Sequence, residues 1–396
     1  NTGPNPNHEY HQRMTARERR WSIRFVDDLS DDLVDGVATF FEKYFPGVFG
    51  GTCDPAIFRW KLGTTNPAGS GILAVAVTDD DEIAGVMTAT MKQMTVEGRP
   101  VLGAETGDTF THPDFRREGR AAELSAGTTA DHYLNRSVFG RLVDEVSRSL
   151  FDQNVELVYG TPNDQSLPGY CRRGGYEVAP TASAQSWHCP RTRLFIDRFP
   201  AATGRVTAQA FDRIRQTLHR PPDSPQEMTT IPLRRDTPTA VFNEVDRIWD
   251  NVSPGQHISI VQDGAWIRHR YALHPSQPYD LHLLGKSGQP DAFAVSRTIT
   301  RSHGTTSRCI TEWSQSLVPD PRRFGDLLAR LIESANDADT VSAWTEQRPA
   351  MWIRMLRAGF VPVKQVPVVL GCNKLGRRTI DQAIPFPVPI GWSDNV

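Results

Sequence analysis

The chain has 396 residues, a formal net charge of −2 from 44 Lys+Arg against 46 Asp+Glu, and 38% hydrophobic residues. That length predicts two or three domains, each able to bury its own core, and the near-neutral charge argues against a general nucleic-acid binder, which carries a basic excess. No apolar run approaches the roughly 20 residues that span a bilayer, and residues 1–8 lack the apolar core of a secretory signal. The cysteines, Cys53, Cys171, Cys189, Cys309 and Cys372, are widely spaced with no CxxC or His/Cys metal pattern. A reduced, cytoplasmic chain with no metal and no membrane partner is therefore expected.

Residues 1–20 are polar and read as a flexible tail. Residues 21–26 predict a strand. Residues 31–44 carry Leu33, Val37, Phe40, Phe41 and Tyr44 at helical spacing, and 54–62 reads as a second short helix before the turn Asn66-Pro67-Ala68-Gly69. Residues 71–77 and 83–91 predict a hairpin across Asp79-Asp80-Asp81, and 101–111 the next strand, ended by His112-Pro113. Residues 137–151 form an amphipathic helix through Val138, Leu142, Val143, Val146 and Leu150, followed by a short buried strand at 155–160. This order gives a mixed α/β domain ending near Pro190.

The Pro-rich stretch Arg220-Pro221-Pro222-Asp223-Ser224-Pro225 reads as part of a linker. A second block from Met228 to about Leu375 repeats the layout. Arg270-Tyr271 before His274-Pro275 echoes Trp60-Lys61 before Asn66-Pro67. Leu356-Arg357-Ala358-Gly359-Phe360 echoes Arg172-Arg173-Gly174-Gly175-Tyr176. A duplicated domain is expected.

The chemistry-bearing stretch begins at Arg116-Arg117-Glu118-Gly119-Arg120-Ala121, which fits Arg/Gln-x-x-Gly-x-Gly/Ala and follows a strand. Glycine there lets backbone approach a phosphate and the arginines add charge; the alternative reading is an exposed basic turn. Around it stand Thr111-His112-Pro113-Asp114-Phe115, Phe139-Gly140-Arg141-Leu142-Val143, Gly160-Thr161-Pro162-Asn163-Asp164-Gln165-Ser166 and Gly175-Tyr176. Over residues 22–180 this combination resembles the GCN5-related N-acetyltransferase (GNAT) superfamily; the second block resembles it in outline.

The resemblance implies an α/β fold of two GNAT-like mixed-sheet domains in tandem. After the tail at 1–20, a catalytic acyl-CoA-binding domain spans 21–190 and a linker 191–227. A degenerate GNAT-like domain then covers 228–376, and a C-terminal tail 377–396. It implies acetyl-CoA, or another acyl-CoA, in a V-shaped gap between the fourth and fifth strands. The backbone of Thr109, Phe110 and Thr111 would bond the pantetheine arm, and Asn163 and Ser166 would lie near the pantetheine and thioester. Residues 118–136 stand as an insert relative to the family, a lid or a surface loop. Two pyrophosphate sites are therefore open. One is residues 116–121 with Gly119. The other is composite, joining Arg116 and Arg117 to the amides of Asn135, Arg136, Ser137 and Val138, with Ser137 where glycine is usual.

Amine acylation by a thioester needs a base and a proton for the leaving thiolate. Glu105, 116 minus 105 or 11 residues before the first loop arginine, matches the family's glutamate base. Asp108 is the rival, on the opposite strand face by alternation unless Gly107 marks a bulge. Tyr170 is the preferred acid; Cys171, at the family's usual tyrosine position, is the alternative acid or nucleophile, or a packed helix residue. In the second block Pro319 and Pro321 remove amide donors where an anion site would need them, so no acyl-CoA is expected there. That block would instead shape an acceptor cleft, with Trp266, Arg268, His269, Arg270 and Tyr271 as core residues or acceptor contacts.

The expected activity is direct transfer of an acyl group from acyl-CoA to a primary amine of a small molecule such as an aminosugar, antibiotic or amino acid. The alternatives are a non-catalytic CoA-binding or scaffold protein, and an aminoacyl-tRNA-dependent transferase. Near-neutral charge and the lack of a long basic helical arm count against the last. No feature of the sequence speaks to the oligomeric state.

Overall fold

The computed structural model describes residues 21–30, 32–46, 53–116, 137–178, 184–190, 206, 209, 210, 213, 227–251, 258–286, 288–300, 304–314, 321–335, 337–346, 349–372 and 386. The first half runs β1 (Trp21–Phe25), α1 (Asp32–Tyr44), α2 (Pro55–Leu62), β2 (Ile72–Thr78), β3 (Ile83–Val96), β4 (Arg99–Thr111), α3 (Val138–Asp152), β5 (Leu157–Gly160), α4 (Leu167–Arg173), β6 (Glu177–Val178) and β7 (Ala184–Pro190). The second half opens with β8 (Glu227–Leu233), α5 (Thr239–Asp250), β9 (Ile258–Ile260) and α6 (Gly264–Ile267), which continues as a π-helical turn over Arg268–Ala272. It goes on with β10 (Tyr279–Lys286), β11 (Gln289–Thr300), β12 (Thr306–Trp313), α7 (Pro321–Ser334), β13 (Thr340–Glu346), α8 (Pro349–Arg357), β14 (Val361–Val366) and β15 (Val369–Cys372).

These elements build two mixed sheets, ordered β1-β2-β3-β4-β5-β15-β6, with β9 of the second half also paired to β3, and β8-β10-β11-β12-β13-β7-β14. The two seven-strand paths follow one pattern, so the duplication expected from two short sequence echoes extends to strand order; β9 on β3 is the addition in the first sheet. The sixth place of each sheet is taken by a strand from the other half of the chain. β7 pairs with β13 from Ala184↔Glu346 to Pro190↔Thr340, and β15 pairs with β5 from Val369↔Gly160 to Cys372↔Leu157. Segments 21–190 and 228–376 therefore exchange a strand, and a cut between them does not separate the sheets. The readings for 1–20, 191–227 and 377–396 fall almost wholly outside the described residues. Phe386 is the exception within the last of these: it is fully buried and meets the Tyr159 ring edge-on at 5.3 Å.

Local chemistry explains the helices that frame the first sheet. Asp54 caps α2 by accepting from the Ala56 amide at 2.8 Å, with Pro55 at the first helical position, where no amide is needed. Ser137 caps α3 by accepting from the Gly140 amide at 3.0 Å, and the predicted stripe Val138, Leu142, Val143, Val146 and Leu150 is buried. Strand alternation sorts the partners. The small residues Ala74, Ala76, Ala84 and Ala89 face α3, whereas Leu73, Val75, Val77 and Val86 face α1 and α2. A third core joins the halves, packing Met94, Val101, Leu157 and Tyr159 against Ile258, Ile260, Trp266 and Phe293. Each such side chain contributes roughly 1.5–3 kcal/mol on burial, so separating the halves is costly. Trp266, His269, Arg270 and Tyr271 are buried and Arg268 is exposed, so four of these five are core residues. The Trp60 indole donates to the His269 carbonyl at 2.8 Å across the same junction.

Candidate active site

β4 and β5 pair in parallel over only three positions, Gly103↔Leu157, Ala104↔Val158 and Glu105↔Tyr159. β5 then stops at Gly160, shortly before Pro162, which has no amide to offer, while β4 continues to Thr111. From Gly107 to Thr111 the β5 side of β4 is without a partner strand among the described residues. A cavity of about 830 Å³ fills the opening. Thr109, Phe110 and Thr111, Arg116, Ser137 and Val138, and Asn163 and Ser166 all line it. Tyr44, Phe45, Phe139, Gln165 and Arg172 line it too. Phe139, Gln165 and Arg172 stand in motifs already singled out in the sequence, though not as site residues; Tyr44 and Phe45 gave no signal, because they close the end of a helix that reads as core.

The cavity has a cationic pole, and among the described residues no Asp or Glu stands in its wall. With Ser137 serving the Gly140 amide, the Val138 and Phe139 amides in the first turn of α3 lack intrahelical acceptors, and the helix dipole adds positive potential there. Arg116 donates from Nε to the Thr111 carbonyl at 3.0 Å and lies 5.4 Å from the Phe45 ring centroid. An open strand edge leading to such a pole fits a long, extended ligand with a phosphorylated end, the form of acyl-CoA. Arg117, Gly119, Asn135 and Arg136, on which the choice between the two phosphate sites turns, lie outside the described residues. No cluster of metal-binding side chains occurs among the described residues.

Just past the point where β5 departs, β4 carries a bulge. Val86 pairs with Phe110 but Thr88 with Gly107, so Asp108 and Thr109 together oppose Met87, and Asp108 takes φ +41°. The bulge falls one residue beyond Gly107, which pairs regularly with Thr88, and the positive φ is on Asp108 itself. The bulge turns Asp108 to the face that carries Glu105. Asp108 Oδ2 accepts from Thr88 Oγ1 at 3.0 Å and from Lys61 Nζ. Glu105 Oε2 stands 3.1 Å from Lys92 Nζ and accepts from Tyr159 Oη at 3.4 Å. All four ionic side chains are at most 2% exposed, and both carboxylates lie outside the cavity wall. Thr88, Thr90 and Lys92 alternate with Met87, Ala89 and Met91 along β3, a polar stripe visible in the sequence but not used there. Lys61, within a short helix beside Phe58 and Leu62, gave no comparable signal.

The opposite face carries the candidate acid. Tyr170 Oη lies 2.7 Å from Thr109 Oγ1, and its ring meets Phe139 edge-on at 5.6 Å. Burial raises the Tyr170 hydroxyl above its ordinary value, against the lowering effect of bonds to Thr109 and Thr106, so it remains a donor at neutral pH. Cys171 is half-buried against the α3 core and outside the cavity wall, and burial pushes its thiol up. Asn163 Oδ1 accepts from the amides of Gln165 and Ser166 at 3.0 and 2.9 Å and from Ser166 Oγ at 3.0 Å. These two polar residues thus build the turn that launches α4 along the cavity.

Comparison with known proteins agrees with this geometry. Residues 41–179 match the family described as acetyltransferase (GNAT) domain. No curated protein sequence matches the chain. Among solved structures, a GCN5-related N-acetyltransferase from Anabaena variabilis aligns with TM-score 0.56 at 14% identity, covering 88% of this chain and 72% of that one. A probable N-acyltransferase of unknown function from Enterococcus faecalis aligns with TM-score 0.55 at 13% identity, covering 89% and 72%. Saccharomyces cerevisiae N-myristoyltransferase, solved with bound myristoyl-CoA and inhibitors, aligns with TM-score 0.54 at 12% identity, covering 92% and 86%. The chain thus carries, at residues 41–179, a domain that matches the GNAT acetyltransferase family, within an arrangement of two mixed sheets in tandem.

Proposed function

We propose that the protein is an acyl-CoA-dependent N-acyltransferase that acetylates a primary amine of a small molecule by direct transfer. The observation that carries this reading is the split beside Gly107–Thr111, which opens the 830 Å³ cavity on one side of β4 while two carboxylates stand on its other face. Acyl-CoA supplies the activated thioester carbonyl. The β4 edge would hold its extended arm, and the first turn of α3 with Arg116 and Arg172 would hold its phosphates. Glu105 or Asp108 takes the proton of the incoming ammonium. The N–C bond forms as the C–S bond breaks, and the Tyr170 hydroxyl gives its proton to the departing thiolate. Holding both reactants across one strand supplies much of the acceleration.

One observation favours a second reading, a non-catalytic acyl-CoA-binding protein: each carboxylate is already paired with a buried lysine. Calorimetry with acetyl-CoA, followed by thiol release with a panel of amines, separates the two. Binding with turnover is expected, and Tyr170→Phe should lower kcat by about 10²-fold or more with little change in acetyl-CoA affinity. Binding without turnover of any amine supports the second reading. No binding at millimolar acetyl-CoA removes both.

A further inference from the structure

At the junction of the two halves, Trp60 of α2 meets a cluster of cationic and aromatic side chains from the second half. The His269 ring stacks on the indole at 5.4 Å and the His274 ring lies at 4.5 Å. The Arg270 guanidinium carbon stands 5.4 Å from the indole centroid. His274 in turn meets the Tyr279 ring at 5.6 Å, and Arg297 lies 5.7 Å from that ring and donates to its hydroxyl. Arg270 comes from the π-helical turn, His274 from the loop after it, Tyr279 from β10 and Arg297 from β11. None of these six residues lines the 830 Å³ cavity.

The charge in this cluster has one sign. Arg270 and Arg297 both disfavour a proton on His274 and on Tyr279, and no carboxylate is among the groups that act on either. The neighbouring carboxylate, Asp280, lies on the other strand face with Arg308 at 2.7 Å. Arg297 has no acid partner among the described residues, and its Nε is without an acceptor. His274 Nδ1 accepts from the amides of Ser276 at 3.2 Å and Gln277 at 3.1 Å, so the neutral ring carries its proton on Nε2. That N–H meets no acceptor among the described residues. Cationic donors gathered without an anion are costly to desolvate. Trp60, His274 and Arg297 are partly exposed, so the cluster is reached from solvent, whereas Arg270 and Tyr279 are buried within it at 5% and 4% exposure.

We propose that this cluster binds a small oxyanion, a carboxylate or phosphate group, through the Arg297 guanidinium and His274 Nε2. Arg270 adds positive potential from below. A guanidinium offers paired N–H donors to two oxygens of one such group, the geometry that a lone Lys lacks. Because Trp60 belongs to the first half and the cationic groups to the second, an anion held there fastens the junction and stabilises the folded chain by mass action. This site stands independently of the N-acyltransferase reading.

The test follows thermal unfolding of the full chain at about pH 7.5 with sodium phosphate or sodium acetate up to about 50 mM, at ionic strength held constant with sodium chloride. A saturable rise in Tm is expected with at least one of the two anions, and the tighter of them names the charged end of the ligand. Arg297→Gln should weaken that anion by at least about tenfold. His274→Asn keeps an acceptor for the Ser276 and Gln277 amides but removes the Nε2 donor, so it should weaken the anion by about threefold or more and carries the test if Arg297→Gln does not fold. Arg116→Gln, at the cationic pole of the cavity, should leave the response unchanged, which separates this site from the acyl-CoA site. A Tm that responds to chloride as it does to both oxyanions overturns the proposal. So does a response that survives in folded Arg297→Gln or in His274→Asn, or one that Arg116→Gln abolishes.

Discussion

Asp108 illustrates how far one backbone torsion reaches. A regular strand would turn its carboxylate toward the α3 side; the bulge brings it beside Glu105, among lysines. Two histidines of the second half contribute to acid sensitivity. His282 lies between Thr230 Oγ1 at 3.0 Å and Ser296 Oγ at 2.8 Å, and burial pushes it down to about 4, with Arg308 adding and Asp280 opposing. His274 is pushed down to about 3 by burial and by Arg270, Arg297 and His269. Both stay neutral in the fold and protonate near 6.5 once unfolded. Their contribution is therefore fully present above about pH 6.5 and lost as pH falls toward those depressed values. At about pH 5 the loss is roughly 2 kcal/mol for His282 and somewhat less for the partly exposed His274. Urea unfolding at about pH 7.5 and pH 5 should show that difference. His282→Gln should flatten it by about half, and an unaltered pH dependence in that variant would show that the acid response originates elsewhere.

At the scale of elements, α3 couples stability to the cavity. It lies close to the sheet because β2 and β3 present small residues to it, and Gly85 of β3 lies against its first turn. A Cβ at Gly85 would stand 2.6 Å from Val138 Cγ1 and 3.0 Å from the Phe110 carbonyl oxygen. Gly85→Ala should cost about 1–3 kcal/mol by overpacking. It should also weaken acetyl-CoA binding, because the displaced turn carries Ser137 and Val138 in the cavity wall. Thermal unfolding and calorimetry on the same variant test both effects. Loss of stability with unchanged affinity would separate the start of α3 from the ligand site.

For the whole molecule, the exchanged strands decide what folds. β15 fills the place between β5 and β6, and β7 that between β13 and β14. The shared core, with Val366, Val368 and Leu370 from the end of the chain, binds the halves further. Residues 21–190 expressed alone lack β15 and leave β5 with an open edge, so they should give no cooperative unfolding transition. The full chain should unfold in one calorimetric transition, with van't Hoff and calorimetric enthalpies in agreement. Two resolved transitions, or a stable fragment 21–190, would mean that the exchange contributes little.

Much of this architecture was legible in the sequence where the signal is local. The helix expected at 137–151 is found at Val138–Asp152, with Ser137 as its cap, because apolar spacing of 3.6 and a capping hydroxyl act within one turn. The Pro-Asn turn, the end of β4 at Thr111 and the duplicated layout were readable for the same reason. Periodicity states which face of an element is buried; it does not name the partner. The pairing of Gly160 with Val369, the Lys61–Asp108 contact across 47 residues of chain and the bulge that makes it join positions with no local signature. Tertiary packing alone decided these, since only a closed core makes burying a lysine beside a carboxylate, or lending a strand to the other sheet, cheaper than leaving them in water. Residue types that can carry acyl transfer are thus a property of the sequence, and their assembly around one split strand is a property of the fold.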